Sequence, residues 1–268
     1  MLPMRVFISA DIEGIAGTVS WPQIEDNAAT YAAACYEMTR ETAAACKGAI
    51  AAGADYIMVN DAHHTGLNID PDGLPDCVEL VRGSSGSPWS MVNGIQDGFD
   101  AAMFVGYHSA AGCMGNPLSH TYTGAPLWVK LNGVKCSEFR LYSYAAAMAA
   151  VPTVLLTGDK MLCDDSASMH PLLKTVAVKR GEGGSAISLS PAAACKKIRG
   201  AAEAALHQDL SQGLISLPNK FTLEICYKEH VKANRVSSFP GFSRVDDNTV
   251  VLHTENYYDV LRAVMWVL

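Results

Sequence analysis

The first sixty residues alternate between two short apolar runs and one long alanine-rich segment, a pattern that restricts the fold. The run 4–10 is β-branched and aromatic and is bounded by a glycine turn, which predicts a buried strand. The segment 31–53 is rich in Ala, Met and Glu and ends at a glycine, which predicts a helix. The run 55–60 predicts a second strand. A strand, a helix and a strand in this order predict a parallel, right-handed β-α-β unit.

Further apolar runs continue this alternation along the chain. Before the glycine-rich segment 181–184, the pattern predicts strands at 78–81, 101–106, 127–131, 152–159 and 175–179, and a helix at 137–150. After it, the pattern predicts strands at 185–189, 220–227 and 249–254, and helices at 191–207 and 256–267. We therefore expect an α/β fold with a mostly parallel sheet flanked by helices, over 1–180. A second, smaller α+β domain is expected over 181–268.

The charge and cysteine content exclude several classes of protein. The formal net charge is −7 and no block of Lys or Arg is present, so neither nucleic acid nor an anionic membrane is expected as a partner. No uninterrupted apolar segment approaches the roughly 20 residues that span a bilayer, and the N-terminus lacks a signal-peptide pattern. The eight cysteines are scattered without a Cys-x-x-Cys pair, which is typical of reduced thiols. We expect a soluble, cytoplasmic protein.

Acidic residues and histidines stand directly behind three of the predicted strands. Asp11 and Glu13 follow the first strand, His63 the second, and His108 the strand at 101–106. In an extended chain, residues i and i+2 point to one face, so the two carboxylates are expected to aim the same way. Two like charges held close are unfavourable unless a cation lies between them. Because parallel strands end at one edge of a sheet, the four side chains are expected to converge.

A fifth candidate ligand is Glu138, near the start of the predicted helix 137–150. Mixed carboxylate and imidazole ligands suit Zn²⁺, Mn²⁺ or Co²⁺. One bridging carboxylate, two histidines and two further acids form a ligand set for two metal ions about 3.5–4 Å apart. Taken singly, each residue is explained as well by a structural role, such as a hydrogen-bonded histidine or a carboxylate favoured by the helix dipole. Their joint occurrence at the ends of three strands favours the metal site.

Several short motifs carry a resemblance to a known family. They are Asp11-Ile12-Glu13-Gly14-Ile15, Val59-Asn60-Asp61-Ala62-His63, Gly106-Tyr107-His108, Leu118-Ser119-His120 and Glu138. The order and spacing of these acids and histidines resemble the M55 family of D-aminopeptidases, and the similarity extends through most of the chain. The resemblance implies an α/β domain with a smaller α+β domain. It also implies a two-zinc aminopeptidase that acts on short peptides or amino-acid amides.

The same resemblance implies individual roles for these residues. The expected ligands are Asp11 as the bridge between two zinc ions, with Glu13, His63, His108 and Glu138 completing the two sites. His120 is expected to be the catalytic residue beside the metals, and the preference for D-residues rests on the resemblance alone. A ring-like homodecamer that encloses the active sites is also implied. Metal binding and catalysis are then assigned to 1–180, and 181–268 is assigned a role in oligomerisation.

Arg140 and three alternative functions leave the substrate open. Arg140 stands where the family commonly has small or apolar residues, and it either alters substrate preference or points outward. His64 is expected to point away from the site into solvent. The alternatives are a two-metal hydrolase of another amide or a phosphoester, a non-catalytic peptide- or metal-binding protein, and a structural oligomer. The sequence has no glycine-rich phosphate loop, which argues against phosphate substrates, and a binding protein would not need His120.

Overall fold

The computed structural model describes residues 3–25, 30–170 and 172–268. The helices are α1 (Tyr31–Ala51), α2 (Glu138–Met148), α3 (Lys160–Ala167), α4 (Pro191–Leu206), α5 (His230–Val236) and α6 (Tyr257–Val267). The strands are β1 (Met4–Ala10), β2 (Ala54–Asp61), β3 (Val78–Val81), β4 (Ala101–Tyr107), β5 (Pro126–Leu131), β6 (Val134–Lys135), β7 (Thr153–Asp159), β8 (Lys174–Glu182), β9 (Ser185–Ser188), β10 (Phe221–Tyr227), β11 (Phe242–Arg244) and β12 (Thr249–Thr254). Within these ranges, no helix combines the length and apolar character needed to cross a membrane.

Among the described residues, seven strands form the larger sheet, in the order β3-β2-β1-β4-β7-β8-β9. Neighbours from β3 to β8 are parallel, whereas β9 runs antiparallel to β8. In the β1–α1–β2 unit, Val6 pairs with Ile57 and Ala10 with Asp61 in parallel register, which confirms the predicted β-α-β unit. The carboxyl ends of β1, β2 and β4 therefore lie side by side at one edge of the sheet.

The central strand β1 is buried on both faces because its side chains alternate between two apolar cores. Val6 and Ile8 belong to the core that also contains side chains of α1 and α4. Phe7 belongs to the core on the other face, together with side chains of α2, α6 and the smaller sheet. Each large apolar side chain that is fully buried contributes roughly 1.5–3 kcal/mol relative to exposure. Burial on both faces explains why this strand is a nearly continuous apolar run.

Five strands of the described chain form the smaller sheet, in the antiparallel order β11-β12-β10-β5-β6. They come from two separate segments, 126–135 and 221–254. A mostly parallel sheet with flanking helices, joined to a smaller sheet, confirms the predicted fold class.

Two elements that we expected in the smaller domain are instead part of the larger sheet or of the helices that pack on it. β9 folds back on β8 through the turn at 183–184 and extends the larger sheet, and α4 packs against α1. Conversely, β5 precedes the expected boundary but joins the smaller sheet, because it pairs with β10. The boundary at 180/181 falls inside β8. The division into two domains, 1–180 and 181–268, stays a prediction.

Candidate metal centre

The segment after β1 packs closely against the end of β4. The Gly14 N–H donates a 2.7 Å hydrogen bond to the Gly106 carbonyl. A Cβ on Gly14 would overlap the Tyr107 carbonyl, so only glycine allows this close approach. Gly106 adopts a positive φ of 74°, and a Cβ there would overlap the Asp11 carbonyl. These contacts fix the backbone that carries Asp11 and Glu13.

The other predicted side chains come from the ends of neighbouring elements. His63 follows β2, His108 follows β4, and Glu138 is the first residue of α2. The Ser137 hydroxyl caps α2, and the helix dipole favours a carboxylate in this first turn. The structure brings the five side chains predicted from strand and helix ends into one cluster, and His120 joins them from the loop after β4.

One half of the cluster consists of Asp11, Glu13 and His63. The Nδ1 atom of His63 lies 3.1 Å from Glu13 Oε1 and 3.6 Å from Asp11 Oδ1. One ligand atom from each of the three residues lies within 4.8 Å of the others. A single cation can therefore contact all three side chains.

The other half consists of His108, His120 and Glu138, which also offer ligand atoms within 4.8 Å of one another. His108 Nε2 lies 3.4 Å from Glu138 Oε2, and His120 Nε2 lies 3.5 Å from Glu138 Oε1. The two imidazole rings stack with their centroids 4.3 Å apart. One carboxylate thus faces two imidazoles through its two oxygens.

Asp11 joins the two halves of the cluster. Its Oδ1 faces His63, whereas its Oδ2 lies 3.6 Å from His108 Nε2. A second link is weaker, because His120 Nε2 lies 4.0 Å from Glu13 Oε1. The geometry of Asp11 is therefore that of a carboxylate able to bridge two cations.

Each imidazole of the cluster is oriented by a backbone carbonyl that accepts a hydrogen bond from its outer ring nitrogen. These bonds join His63 Nε2 to Ile24 at 3.2 Å, His108 Nδ1 to Ser109 at 2.9 Å, and His120 Nδ1 to Leu118 at 2.8 Å. A ring nitrogen that faces a carbonyl carries the proton, so a neutral ring turns the lone pair of its other nitrogen toward the carboxylates. Hydrogen bonds from the outer ring nitrogen to a backbone carbonyl are typical of metal-binding histidines.

Three buried atoms of the cluster have no hydrogen-bond partner within the described protein: Asp11 Oδ2, Glu13 Oε2 and His108 Nε2. Leaving a buried polar atom unsatisfied costs about 1–3 kcal/mol, and more for a charged group. All three are electron-pair donors of the kinds that bind Zn²⁺ and related transition metals. The residues present therefore fit a site for metal cations.

The charges within the cluster shift pKa values in opposite directions. Burial raises the pKa of Asp11, and the neighbouring Glu13 carboxylate raises it further. Burial opposes ionisation of Glu13 too, but the charge on His63 outweighs it and holds the Glu13 pKa well below its usual range. Burial disfavours protonation of His63, yet Glu13 raises its pKa to about 12. Burial also disfavours protonation of His108, yet the charge on Glu138 raises the pKa of His108 to about 10. The carboxylates thus hold positive charge in place, as imidazole protons or as a metal cation.

The side chains of the cluster other than His108 line a pocket of about 440 Å³, a size typical of small-molecule sites. His120 contributes to the wall and contacts Trp21 edge-on, with ring centroids 5.2 Å apart. Met91 and Tyr122 also line the pocket. Trp21, Met91 and Tyr122 were not predicted as neighbours of the cluster, because single loop residues carry no periodicity that would indicate them.

His64 is exposed to solvent, as expected, although it also contributes to the lining of this pocket. Its backbone is left-handed, with φ 46°, and this conformation brings its ring centroid to 6.2 Å from that of His63. Arg140 instead lines a separate groove with Tyr144 and His170. Of the two possibilities for Arg140, the structure therefore supports the one in which it points away from the cluster.

Three carboxylates and two imidazoles at the wall of a pocket, with the imidazole of His108 buried beside them, provide the ligand chemistry of metal-dependent hydrolases. The family model of peptidase M55, described as D-aminopeptidase, matches residues 4–266. The chain therefore belongs to the peptidase M55 family, as the sequence motifs predicted, and it is a hydrolase of the peptidase class.

Two similar proteins extend this comparison. A D-aminopeptidase of Bacillus subtilis (strain 168) is 26% identical over 264 residues, which cover 98% of this chain and 96% of the relative. The solved structure of the Zn-dependent D-aminopeptidase DppA from Bacillus subtilis, a self-compartmentalizing protease, matches with a TM-score of 0.92 at 24% identity. That match covers 98% of this chain and 96% of DppA, which confirms the fold over nearly the whole chain.

Proposed function

We propose that this chain is a two-zinc aminopeptidase that removes N-terminal residues, preferentially D-residues, from short peptides or amino-acid amides. The observation that carries the proposal is the joining of two carboxylate–imidazole groups through Asp11, with lone pairs that find no partner in the described protein. The family description and the D-aminopeptidase of Bacillus subtilis support the reaction. The zinc dependence of DppA supports the choice of metal.

In this proposal, each residue of the cluster holds a defined place. Asp11 would bridge two ions because its two oxygens face different histidines. Glu13 and His63 would complete one site, and His108 and Glu138 the other. When bound, two zinc ions would acidify a water molecule and polarise the scissile carbonyl.

We assign His120 the role of general acid–base. Its side chain is 13% exposed and lines the pocket, whereas the stacked His108 is fully buried. The Leu118 carbonyl holds the proton on Nδ1, so Nε2 is the atom that exchanges a proton with substrate. Glu138, 3.5 Å from Nε2, would stabilise the imidazolium formed when the ring accepts a proton.

The remaining pocket residues suggest how a peptide would lie. The apolar surfaces of Trp21 and Met91 would contact the side chain of the terminal residue. The carboxylate of Glu25 lies in the same pocket wall and would attract the free amino group of the substrate. Recognition of that ammonium would explain action at a chain end.

We further propose a cytoplasmic homodecamer, in which 1–180 carries catalysis and 181–268 contributes subunit contacts. The description of DppA as a self-compartmentalizing protease supports self-association. Enclosed sites would restrict the substrate to short peptides. Native mass spectrometry tests this point: ten copies of the 28.6 kDa chain would give about 286 kDa, and a monomer would contradict it.

The proposed activity is tested by metal analysis of the purified protein and a matched panel of D- and L-aminoacyl amides and dipeptides. We expect two zinc ions per chain and hydrolysis of D-alanine amide that a chelator abolishes and zinc restores. Failure to bind any transition metal would refute the metal centre. Equal hydrolysis of the L-compounds would refute the D-preference, and cleavage of phosphoesters alone would point to the other substrate class.

A further inference from the structure

Two buried groups of opposite charge contact the backbone of the segment that carries Asp11 and Glu13. Glu41, within α1, is fully buried, and Lys179, within β8, is 3% exposed. Neither side chain is among those that line the pocket. Burying an ammonium or a carboxylate is costly unless the group is paired and hydrogen-bonded, so their hydrogen bonds indicate what the two groups do.

Lys179 holds the segment 11–18 at two points. Its Nζ donates hydrogen bonds to the carbonyl of Glu13 at 2.5 Å and to the carbonyl of Thr18 at 2.6 Å. Asn116 Nδ2 donates a further bond to the same Glu13 carbonyl at 2.9 Å. The backbone carbonyl of Glu13, one of the proposed metal ligands, is thus held by two side-chain donors, Lys179 and Asn116.

Glu41 holds the same segment at a third point. Its Oε1 accepts a 2.8 Å hydrogen bond from the Ala16 N–H, and its Oε2 is buried with no hydrogen-bond partner in the described protein. Burial raises the pKa of Glu41 to about 7, while the Ala16 bond and the Lys179 charge oppose the rise. Burial lowers the pKa of Lys179 to about 8, against the nearby charges of Asp159 and Glu41. Both groups are therefore kept in place at an electrostatic cost.

We propose that Lys179 and Glu41 are positioning residues for the metal centre. They tie the backbone at residues 13, 16 and 18 so that the Glu13 carboxylate meets His63, and they act through that backbone without contacting metal or substrate. The inference rests on the two-metal function proposed above. Partners that orient a ligand in this way typically contribute 10–100-fold to metal affinity.

The test measures both zinc dissociation constants by chelator competition at 20 °C, with circular dichroism as a check on folding. Lys179→Met removes the donor, and Lys174→Met, at an exposed position of the same strand, is the matched control. We expect Lys179→Met to weaken the binding of one zinc ion by 10–100-fold and the binding of the other by less than about threefold. A merely structural lysine would lower the melting temperature and leave both constants unchanged, which would overturn the inference.

A second pair of variants decides the matter if Lys179→Met does not fold. Glu41→Gln keeps an acceptor oxygen for the Ala16 N–H, whereas Glu41→Leu removes it. We expect Glu41→Leu to weaken the binding of the same zinc ion. Glu41→Gln should leave both zinc dissociation constants within about threefold of those of the parent protein. Equal constants for the two variants would overturn the inference. Failure of the parent protein to bind zinc would instead refute the proposed function.

Discussion

Replacing Asp11 by Asn tests the bridging role, because Asn keeps the shape of the side chain and removes its charge. In the structure the two Asp11 oxygens each lie 3.6 Å from a different imidazole, one from His63 and one from His108. Glu13, in contrast, approaches His63 at 3.1 Å and has only a 4.0 Å contact with the other half of the cluster. Asp11→Asn should therefore weaken both metal positions, and Glu13→Gln only one.

The magnitude follows from the kind of contact that each substitution removes. Loss of a group that merely orients a ligand costs about 10–100-fold in metal affinity, so loss of a direct carboxylate ligand should cost at least the upper value. A 100-fold loss corresponds to about 2.7 kcal/mol for each ion. The metal-free protein should behave differently. Because burial and the Glu13 charge raise the pKa of Asp11, its ionised form opposes folding at neutral pH, and Asp11→Asn should not lower the melting temperature.

The assay is zinc titration against a chromophoric chelator, with melting temperatures of the metal-free variants measured in parallel. Asp164→Asn is the matched control, because that carboxylate is 62% exposed on α3. We expect more than 100-fold weaker binding of both ions in Asp11→Asn, of one ion in Glu13→Gln, and of neither in the control. An Asp11→Asn protein that still binds one zinc ion with parental affinity would refute the bridging geometry.

Three further predictions concern the acid–base residue, a close backbone contact and the charge balance. His120→Ala should keep both zinc ions and lower kcat on D-alanine amide by about 10²–10⁴-fold, the usual contribution of general acid–base catalysis. In urea unfolding, Gly14→Ala should lower the free energy of unfolding by about 1–3 kcal/mol, because the new Cβ would overlap a backbone carbonyl of β4. The control Gly200→Ala, at an open position of α4, should raise the free energy of unfolding by about 0.5–1 kcal/mol. The melting temperature of the metal-free protein should fall as the pH rises above about 6.5. The folded-state pKa values of His108 and His63, about 10 and about 12, exceed the pKa of a histidine in the unfolded chain. The protonated imidazoles therefore stabilise the folded state fully below the unfolded pKa, and this stabilisation is lost as the pH rises through the folded-state pKa values.

Each of these three predictions has a clear contrary result. Loss of zinc from His120→Ala would make that residue a metal ligand. Similar stabilities for the two glycine variants would refute the close approach of the segment after β1 to the end of β4. A metal-free melting temperature that stays level between pH 6.5 and pH 10 would contradict the charge balance of the cluster.

Sequence patterning predicted those elements whose burial is visible along the chain itself. The strands at 4–10 and 249–254 have the predicted bounds, because apolar β-branched runs mark a buried strand. Helix α3 was missed because its short sequence is charged and lacks an apolar period, although Asp159 at its N-cap was an available signal. The sheet membership of β5 depends on a partner some ninety residues away, at β10, and no local pattern specifies such a pairing.

The convergence of the candidate metal ligands was predictable because parallel topology brings strand ends together. Asp11 and His63 follow adjacent strands, so their proximity required only the correct fold class. The position of the His64 ring beside that of His63 was not predictable, because it is set on a left-handed backbone that a non-glycine residue rarely adopts. Lys179 and Glu41 act on backbone groups distant in sequence, and such contacts leave no motif.

The central claim is that two metal ions share Asp11, and anomalous diffraction from zinc-loaded crystals tests it most directly. The account predicts two zinc peaks about 3.5–4 Å apart, with Asp11 between them, Glu13 and His63 at one peak, and His108 and Glu138 at the other. A single peak, or two peaks that do not share Asp11, would contradict it.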